Sequence, residues 1–281
     1  VAETVKLRVE RAKLLGYPTF AAFKLDETMA KTPEAVRTLL ERVWNRAVVR
    51  AGEEKADLAA VAREEGMNEP IQPWDWRFYA EKVRQKRYAI DEAALKPYFQ
   101  LDRMIEAAFA VATKLFGVTF RRRDDVPVYH PDVRAYEVLR DGQHVGLFLG
   151  DYCARPTKRS GAWMSAFRSQ EKLSGPVRPI IVNVMNFAKP PEGKPALLSF
   201  DDARTLFHEF GHGLHGLLSD VTYPLLSGTS VARDFVEFPS QLYEHWLERR
   251  EVLSDFAVHA ETGEAMPQAL IDKLIAARTF N

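Results

Sequence analysis

Three residues in one short stretch combine two side chains that bind a metal ion with one that moves a proton. His208, Glu209 and His212 form the pattern HExxH. On a helix, residues four apart differ by ~40° around the axis and by about 6 Å along it, so both imidazoles project from one face. Two such imidazoles can hold one Zn²⁺, and Glu209 then lies beside the ion, where it can take a proton from a bound water. The pattern predicts one zinc ion per chain, with Glu209 as general base.

A catalytic zinc usually has three protein ligands, so a further ligand is expected downstream. The extended pattern HExxHxxGxxH would place a histidine at position 218, where the sequence has Leu218. His215 falls near the same helix face but about a turn too far along it, which indicates packing or a place behind the ligands. Chemistry alone leaves Asp234 and Glu237 as competing third ligands. The carboxylates that follow the pattern include Asp220, Asp234, Glu237, Glu244 and Glu248.

The histidines lie in a periodic apolar segment that predicts an amphipathic helix over about 200–218. Ser199-x-x-Asp202 has the spacing of a capping box at its start. Gly211, Gly213 and Gly216 lie inside the segment, and each glycine costs about 1 kcal/mol relative to alanine in a helix interior. They predict that another backbone or a substrate approaches this helix closely. The apolar positions alternate at intervals of four and three residues: Ala203, Phe207, Phe210, Leu214 and Leu217.

Three regions follow one another along the chain and are predicted to form one incomplete catalytic domain. Residues 1–116 are predicted to be helical. Residues 117–190 are predicted to form a small sheet with a long loop at 153–176. Residues 195–281 are predicted to return to helices around the zinc site. The predicted fold class is mainly α with a small antiparallel β-sheet (α+β).

Local signals mark the ends of several predicted elements. Thr32-Pro33 starts a long helix that runs to about Gly66. Asp141-Gly142 lies between two apolar segments and indicates a hairpin. A second helix over Val231–Arg250 contains Pro239, which must lie in its first turn or kink it. The strand candidates are short segments rich in β-branched and aromatic residues, at 126–129, 135–139, 145–149 and 178–184.

The composition limits the partners and the location. Lys plus Arg and Asp plus Glu number 39 each, and the net charge of zero argues against nucleic acid as the main partner. No apolar segment approaches the roughly 20 residues needed to span a bilayer, and no signal peptide stands at the N-terminus, so no membrane partner is predicted. The single cysteine, Cys153, can form no intrachain disulfide. That fits a reducing compartment, and the predicted location is cytoplasmic.

Several segments resemble the thimet-oligopeptidase-like zinc metallopeptidases. The similarity covers essentially the whole chain, is strongest over 126–250, and within the family is greatest to the bacterial peptidyl-dipeptidases. The segments that carry it are Val128–Arg134, Gly150–Pro156, Gly161–Met164, Asn183–Phe187, Thr205–His215, Leu226–Thr229, Arg233–Gln241 and Glu261–Glu264.

The resemblance implies that Glu237 is the third zinc ligand and that Asp234 supports the ligands from behind. It implies a mainly helical fold with a deep channel and an enzyme that releases dipeptides from the C-termini of short peptides. An edge strand beside the zinc helix would hold the extended peptide through main-chain hydrogen bonds. The strand predicted to do so is Val145–Asp151.

Members of this family are longer at both ends, so the chain is expected to be an internal fragment. It does not begin with Met. The family's downstream loop, whose His and Tyr residues stabilise the transition state, has no counterpart in this sequence. Two further functions therefore stay open: a zinc-binding fragment with impaired catalysis, and an endo-acting oligopeptidase of the same family. A zinc aminopeptidase is disfavoured, because that class places its glutamate closer to the second histidine.

Overall fold

The computed structural model describes residues 1–89 and 91–277. The chain divides into two compact units, one of Val1–Ala89 with Ala232–Phe235 and one of Ile90–Val231 with Val236–Ala276. Position 90 of the predicted helical region 1–116 and the last four residues of the predicted region 195–281 lie outside the described residues. None of the described helices is long and apolar enough to cross a membrane.

The first unit is helical, as the sequence predicts. Its longest helix begins as expected, because Thr32 caps it by accepting a hydrogen bond from the backbone N–H of Ala35. The C-terminal half of this helix packs on the last helix of the unit through Leu58, Ala62, Tyr79 and Val83. The helices are α1 (Ala2–Leu14), α2 (Phe20–Leu25), α3 (Pro33–Glu64) and α4 (Trp76–Tyr88).

The second unit contains a five-stranded sheet and the remaining described helices. The α+β class is confirmed. The helices are α5 (Glu92–Leu95), α6 (Leu101–Phe116), α7 (Phe200–Leu217), α8 (Phe238–Leu247), α9 (Arg250–Phe256) and α10 (Gln268–Ala277). The strands are β1 (Val118–Arg122), β2 (Arg134–Arg140), β3 (Gln143–Cys153), β4 (Trp163–Arg168) and β5 (Ile180–Phe187).

The sheet is mixed, which corrects the prediction of an antiparallel one. The strand order is β1-β2-β3-β5-β4, and β3 pairs with β5 in parallel. The predicted hairpin is present between β2 and β3, where Asp141 and Gly142 both have positive φ angles of 50° and 73°. The parallel pair arises because the chain leaves β3, makes the outer strand β4, and returns between them as β5.

Three predictions about the strands are wrong. Segment 126–129 forms no strand, and the predicted loop at 153–176 contains β4. Val145–Asp151 lies inside β3, which is paired on both sides and therefore has no free edge. The strand that ends the sheet on the side of β5 is β4. Its pattern escaped detection because four of its six side chains are exposed and so show no apolar alternation.

Helices α6 and α7 pack on one face of this sheet. Their contact is aromatic: Phe109 of α6 stacks on Phe120 with ring centroids 4.0 Å apart, and Phe210 of α7 meets Phe148 edge-on at 5.2 Å. The opposite face carries a separate cluster of small apolar side chains: Val133, Ala135, Leu149, Val182 and Val184. The sheet thus provides a rigid platform for α7.

Candidate metal centre

Helix α7 carries both histidines of the HExxH pattern. It begins with the predicted capping box, in which Ser199 and Asp202 exchange side-chain-to-backbone hydrogen bonds. Its apolar stripe is buried against the sheet. His208 and His212 project from another face, with their rings 4.9 Å apart and nearly perpendicular.

Glu237 meets both histidines. Its Oε2 atom lies 3.2 Å from His208 Nε2 and 3.0 Å from His212 Nε2. Ligand atoms from these three residues all lie within 4.8 Å of one another. Of the two carboxylates that the residue chemistry left open, Glu237 is therefore the one that lies with the histidines.

The start of α8 fixes the position of Glu237. Glu237 is the N-cap residue, Pro239 lies in the first turn, and the helix begins seven residues later than predicted. The hydroxyl of Ser240 donates to Glu237 Oε2 at 3.0 Å. Burial raises the pKa of Glu237, but the hydrogen bond from Ser240 and the neighbouring imidazoles outweigh it, so the pKa is lowered.

Glu209 is buried beside this cluster. Only 7% of its surface is exposed, and its Oε2 has no hydrogen-bond partner within the described residues. Burial raises its pKa to about 6; the charge of His208 opposes this shift and that of Glu237 adds to it. A buried carboxylate oxygen without a partner is costly, and its place beside the imidazoles suits a group that exchanges a proton with a bound water.

Sequence reasoning missed the role of Glu244. Its Oε1 lies 2.6 Å from His208 Nδ1, so it contacts this histidine from behind while Nε2 faces Glu237. Arg204 lies beyond it, with Nε 3.9 Å from Glu244 Oε2. The available signal was spacing, because Glu244 follows Glu237 by seven residues, which is two helical turns.

The two other residues predicted near the ligands are placed as follows. The carboxylate of Asp234 accepts hydrogen bonds from the backbone N–H groups of Met29 and Ala30, at 2.9 and 3.0 Å. It is thus engaged within the first unit, and the carboxylate that contacts a cluster histidine from behind is Glu244. His215 lies one turn after His212 and is partly buried, and burial lowers its pKa.

The three glycines of α7 mark close contacts, as predicted. A Cβ atom at Gly211 would lie 2.7 Å from the Cα of Ser240 on α8. One at Gly213 would lie 2.9 Å from Asn183 Oδ1 on β5, and one at Gly216 would lie 2.7 Å from side chains of β4 and β5. The absence of side chains therefore lets α7 approach α8 and the sheet.

The donor set fits a zinc ion. Two imidazoles and one carboxylate are common zinc ligands, and three protein ligands leave one coordination position open. Burial lowers the pKa of His212, which favours the neutral imidazole that a metal requires. The lowered pKa of Glu237 favours the ionised carboxylate. Glu209 supplies the buried acceptor beside the cluster.

Two histidines and a base on one helix, with a carboxylate from the next helix, form the arrangement expected of an HExxH metallopeptidase. The family model for peptidase family M3 matches residues 1–281, and the chain belongs to that family. Members of this family are zinc metallopeptidases. The resemblance stated from the sequence is confirmed.

Three relatives show where the chain lies within this family. It is 48% identical to dipeptidyl carboxypeptidase of Salmonella typhimurium and 47% identical to that of Escherichia coli, over all of this chain and 42% and 41% of those proteins. It is 40% identical to oligopeptidase A of Escherichia coli over 99% of this chain and 42% of that protein. The chain thus spans about two fifths of the length of these relatives.

Proposed function

We propose that this chain is the zinc-binding part of a metallopeptidase that hydrolyses short peptides. The single observation that carries the proposal is the meeting of Glu237 with His208 and His212, beside a buried glutamate. In this proposal the three residues bind zinc and Glu209 is the catalytic residue that moves the proton.

Each residue of the site has a distinct task. A bound zinc ion would supply a Lewis acid for the scissile carbonyl and would acidify the attacking water. Glu209 accepts the proton of that water and passes it to the nitrogen of the leaving peptide. Glu244 holds the His208 ring so that Nε2 faces the cluster. The buried surroundings of Glu209 exclude bulk water from this transfer.

The outer strand β4 is the better candidate for holding the peptide, in place of the segment predicted from the sequence. It lies at the end of the sheet, and α7 packs against both β4 and β5. Its outer backbone groups have no strand partner within the described residues, so an extended peptide can add to it through main-chain hydrogen bonds. A peptide bound there would lie beside the helix that carries His208 and His212.

The release of C-terminal dipeptides is the proposed outcome. Its support is the greater identity to relatives named dipeptidyl carboxypeptidase than to those named oligopeptidase A. Endo-acting cleavage is the second candidate, favoured by the match to oligopeptidase A. A zinc-binding piece with little turnover is the third, because the chain spans only about two fifths of its relatives. Action on peptides in the cytoplasm, without nucleic acid or membrane partners, stays a prediction.

The proposal is tested by the variant Glu209→Gln in the 281-residue chain. Zinc content should remain at one ion per chain, while hydrolysis of an unstructured peptide with a free C-terminus should fall by at least ~100-fold, the typical contribution of a general base. Glu251→Gln, on α9, is the matched control and should change neither. Turnover retained in Glu209→Gln would contradict the mechanism, and purified protein without affinity for zinc would contradict the site.

The mode of cleavage is tested by amidating the C-terminus of the same peptide. Loss of the dipeptide product supports recognition of the free carboxylate. Undiminished cleavage favours the endo-acting candidate. Intact zinc binding without turnover on either peptide supports the third candidate.

A further inference from the structure

Asn183 is a buried amide in an otherwise apolar contact between β5 and α7. Its exposed fraction is 0%, and the neighbouring inward positions of β5 are Ile181 and Met185, which are also buried. The contact between a sheet and a helix is normally filled by apolar side chains, because a buried amide must find hydrogen-bond partners. A leucine at this position would avoid that requirement.

Within the described residues the amide makes one hydrogen bond, and its acceptor lies in the proposed zinc site. Asn183 Nδ2 donates to the main-chain carbonyl of Glu209 at 2.5 Å. That carbonyl lies in the turn between His208 and His212. The bond therefore ties the turn that bears the proposed catalytic base directly to an inner strand of the sheet.

The other end of the amide is placed by a glycine. Asn183 Oδ1 is buried and has no partner within the described residues. It lies 2.9 Å from the position that a Cβ atom of Gly213 would occupy. The protein therefore keeps both an unsatisfied acceptor and a helix-interior glycine, and each of these lowers stability. The unsatisfied acceptor and the glycine together allow the amide of Asn183 to reach the carbonyl of Glu209.

The glycine face of α7 explains why such a bond matters. Helices keep their position on a neighbour when side chains interlock as ridges and grooves. Gly213 and Gly216 let α7 approach the sheet closely but supply no side chains that interlock with it. The hydrogen bond from Asn183 to the carbonyl of Glu209 joins the helix to the sheet in the part of the contact where side chains do not interlock.

We propose that Asn183 is a positioning residue that holds the His208–His212 turn of α7 in place on the sheet. Through the backbone of Glu209 it keeps both imidazoles and the Glu209 carboxylate aimed at one point. This inference rests on the proposed function for the identity of the ligands. The position of the helix itself is testable without that function.

The test is Asn183→Leu in the 281-residue chain, with Zn²⁺ affinity measured by competition with a chromophoric chelator. We expect the affinity to fall about 10-fold, the lower end of the effect of residues that support metal ligands. Denaturant unfolding of the metal-free protein should be unchanged or shifted to higher denaturant, because the unsatisfied Oδ1 is removed. Unchanged zinc affinity in Asn183→Leu would overturn the proposal.

A matched control separates positioning from general loosening. Gln170 is also a buried amide of the second unit, but both ends of its side chain bond to Val221, beyond the end of α7. Gln170→Leu should lower stability and leave zinc affinity unchanged. An equal loss of zinc affinity in Gln170→Leu would overturn the proposal, because any buried amide would then serve.

A double-mutant cycle with Gly213 guards against a leucine that does not pack. Gly213→Ala should displace the amide, and Asn183→Ala should remove it. We expect both substitutions to lower zinc affinity, although alanine at position 213 favours the helix. The double variant should lose no more than either single variant, because both remove the same bond. Additive losses would overturn the proposal.

Failure of the proposed function is distinguishable from failure of this inference. If the unmodified chain binds no zinc, the metal site is wrong. Amide hydrogen exchange in the metal-free chain then still decides the role of Asn183. Asn183→Leu should speed amide exchange in the middle of α7 and not in α6. Equal exchange rates in α7 of this variant and of the unmodified chain would overturn the proposal.

Discussion

The contact between Glu244 and His208 determines which ring nitrogen faces the cluster. A carboxylate 2.6 Å from Nδ1 favours a proton on that atom, which leaves the lone pair of Nε2 directed toward Glu237. A metal ligand held in this way needs no rotation or change of tautomer on binding.

Replacing Glu244 should therefore weaken zinc binding while leaving all three ligands in place. We expect Glu244→Gln to lower Zn²⁺ affinity by about 10- to 100-fold, as measured by chelator competition. Glu251→Gln, which removes a carboxylate from α9, serves as control. Equal affinity in Glu244→Gln and the unmodified chain would show that α7 alone orients His208.

For individual residues, the sequence predicts those parts of the site that lie on one helix. HExxH places His208, Glu209 and His212 together because one helix carries all three. The third ligand lies on another helix, and residue chemistry could not choose between Asp234 and Glu237, because the choice depends on where α8 begins. The helix begins at Phe238, so Glu237 occupies the N-cap position and Asp234 is left in the preceding loop.

Among the elements, the contact of α7 with α8 depends on Gly211. Gly211→Ala would place a Cβ atom 2.7 Å from the Cα of Ser240 and 2.9 Å from the carbonyl oxygen of Pro239. Backbone atoms cannot move aside as a flexible side chain can. Because α8 carries Glu237, the same substitution should also separate Glu237 from the histidines.

We expect Gly211→Ala to destabilise the protein by about 1–3 kcal/mol, the usual cost of overpacking. Gly52 in α3 is the matched control, since a Cβ atom there meets nothing within 4 Å. Gly52→Ala should stabilise by about 0.5–1 kcal/mol. Denaturant unfolding of both variants checks that the free energy of unfolding falls in Gly211→Ala and rises in Gly52→Ala. Stabilisation by Gly211→Ala would contradict the close contact.

The first three strands are joined by a charge cluster around Glu137 on β2. Its carboxylate lies 2.5 Å from Arg121, 2.9 Å from Arg123 and 3.0 Å from His144. The hydrogen bond from Arg121 is the largest cause that lowers the pKa of Glu137 to about 2, and those from His144 and Arg123 add to it. The ionised form is therefore bound more tightly in the folded state than in the unfolded chain.

This shift predicts a pH dependence of stability. A depressed carboxyl pKa stabilises the fold above the unfolded-state value near 4.5, and this stabilisation is lost as the pH falls toward about 2. The stability difference between the unmodified chain and Glu137→Gln should thus be constant above pH ~5 and shrink below ~4.5. Urea unfolding across this range checks it, with Glu41→Gln on α3 as control. A difference that grows on acidification would contradict the cluster's role.

Local patterns predicted the helices and the hairpin better than the order of the strands. Thr32, Ser199 and Asp141-Gly142 act on their own neighbours, so their effects can be derived from the sequence. The pairing of β3 with β5 joins segments about 30 residues apart, and local propensity carries no information on parallel or antiparallel pairing. Strand β4 is exposed on an edge and lacks the alternation of a buried strand.

At the scale of the whole molecule, the proposed metal site belongs to one compact unit. His208, Glu209, His212, Glu237 and Glu244 all lie in the second unit. A ligand stabilises the state that binds it, by about 2.7 kcal/mol when its free concentration is 100 times its Kd. This stabilisation protects every segment whose local unfolding would break the metal site.

Zinc should therefore protect the second unit selectively. We expect amide hydrogen exchange in α7 and α8 to slow on addition of Zn²⁺ and that in α3 to stay unchanged. Removal of the metal with a chelator should reverse the effect. Equal protection of α3 would show that zinc stabilises the chain as a whole, and no protection of α7 would contradict the site.

The unequal exposure of the three proposed ligands sets the route by which a metal enters and leaves. The Glu237 side chain is 52% exposed, against 25% for His208 and 11% for His212. The two imidazoles are more deeply buried on one helix, whereas the carboxylate at a helix start can rotate into solvent once Ser240 releases it. We therefore expect exchange of a bound ion to begin at Glu237, and we expect the hydrogen bond from Ser240 to slow that first step.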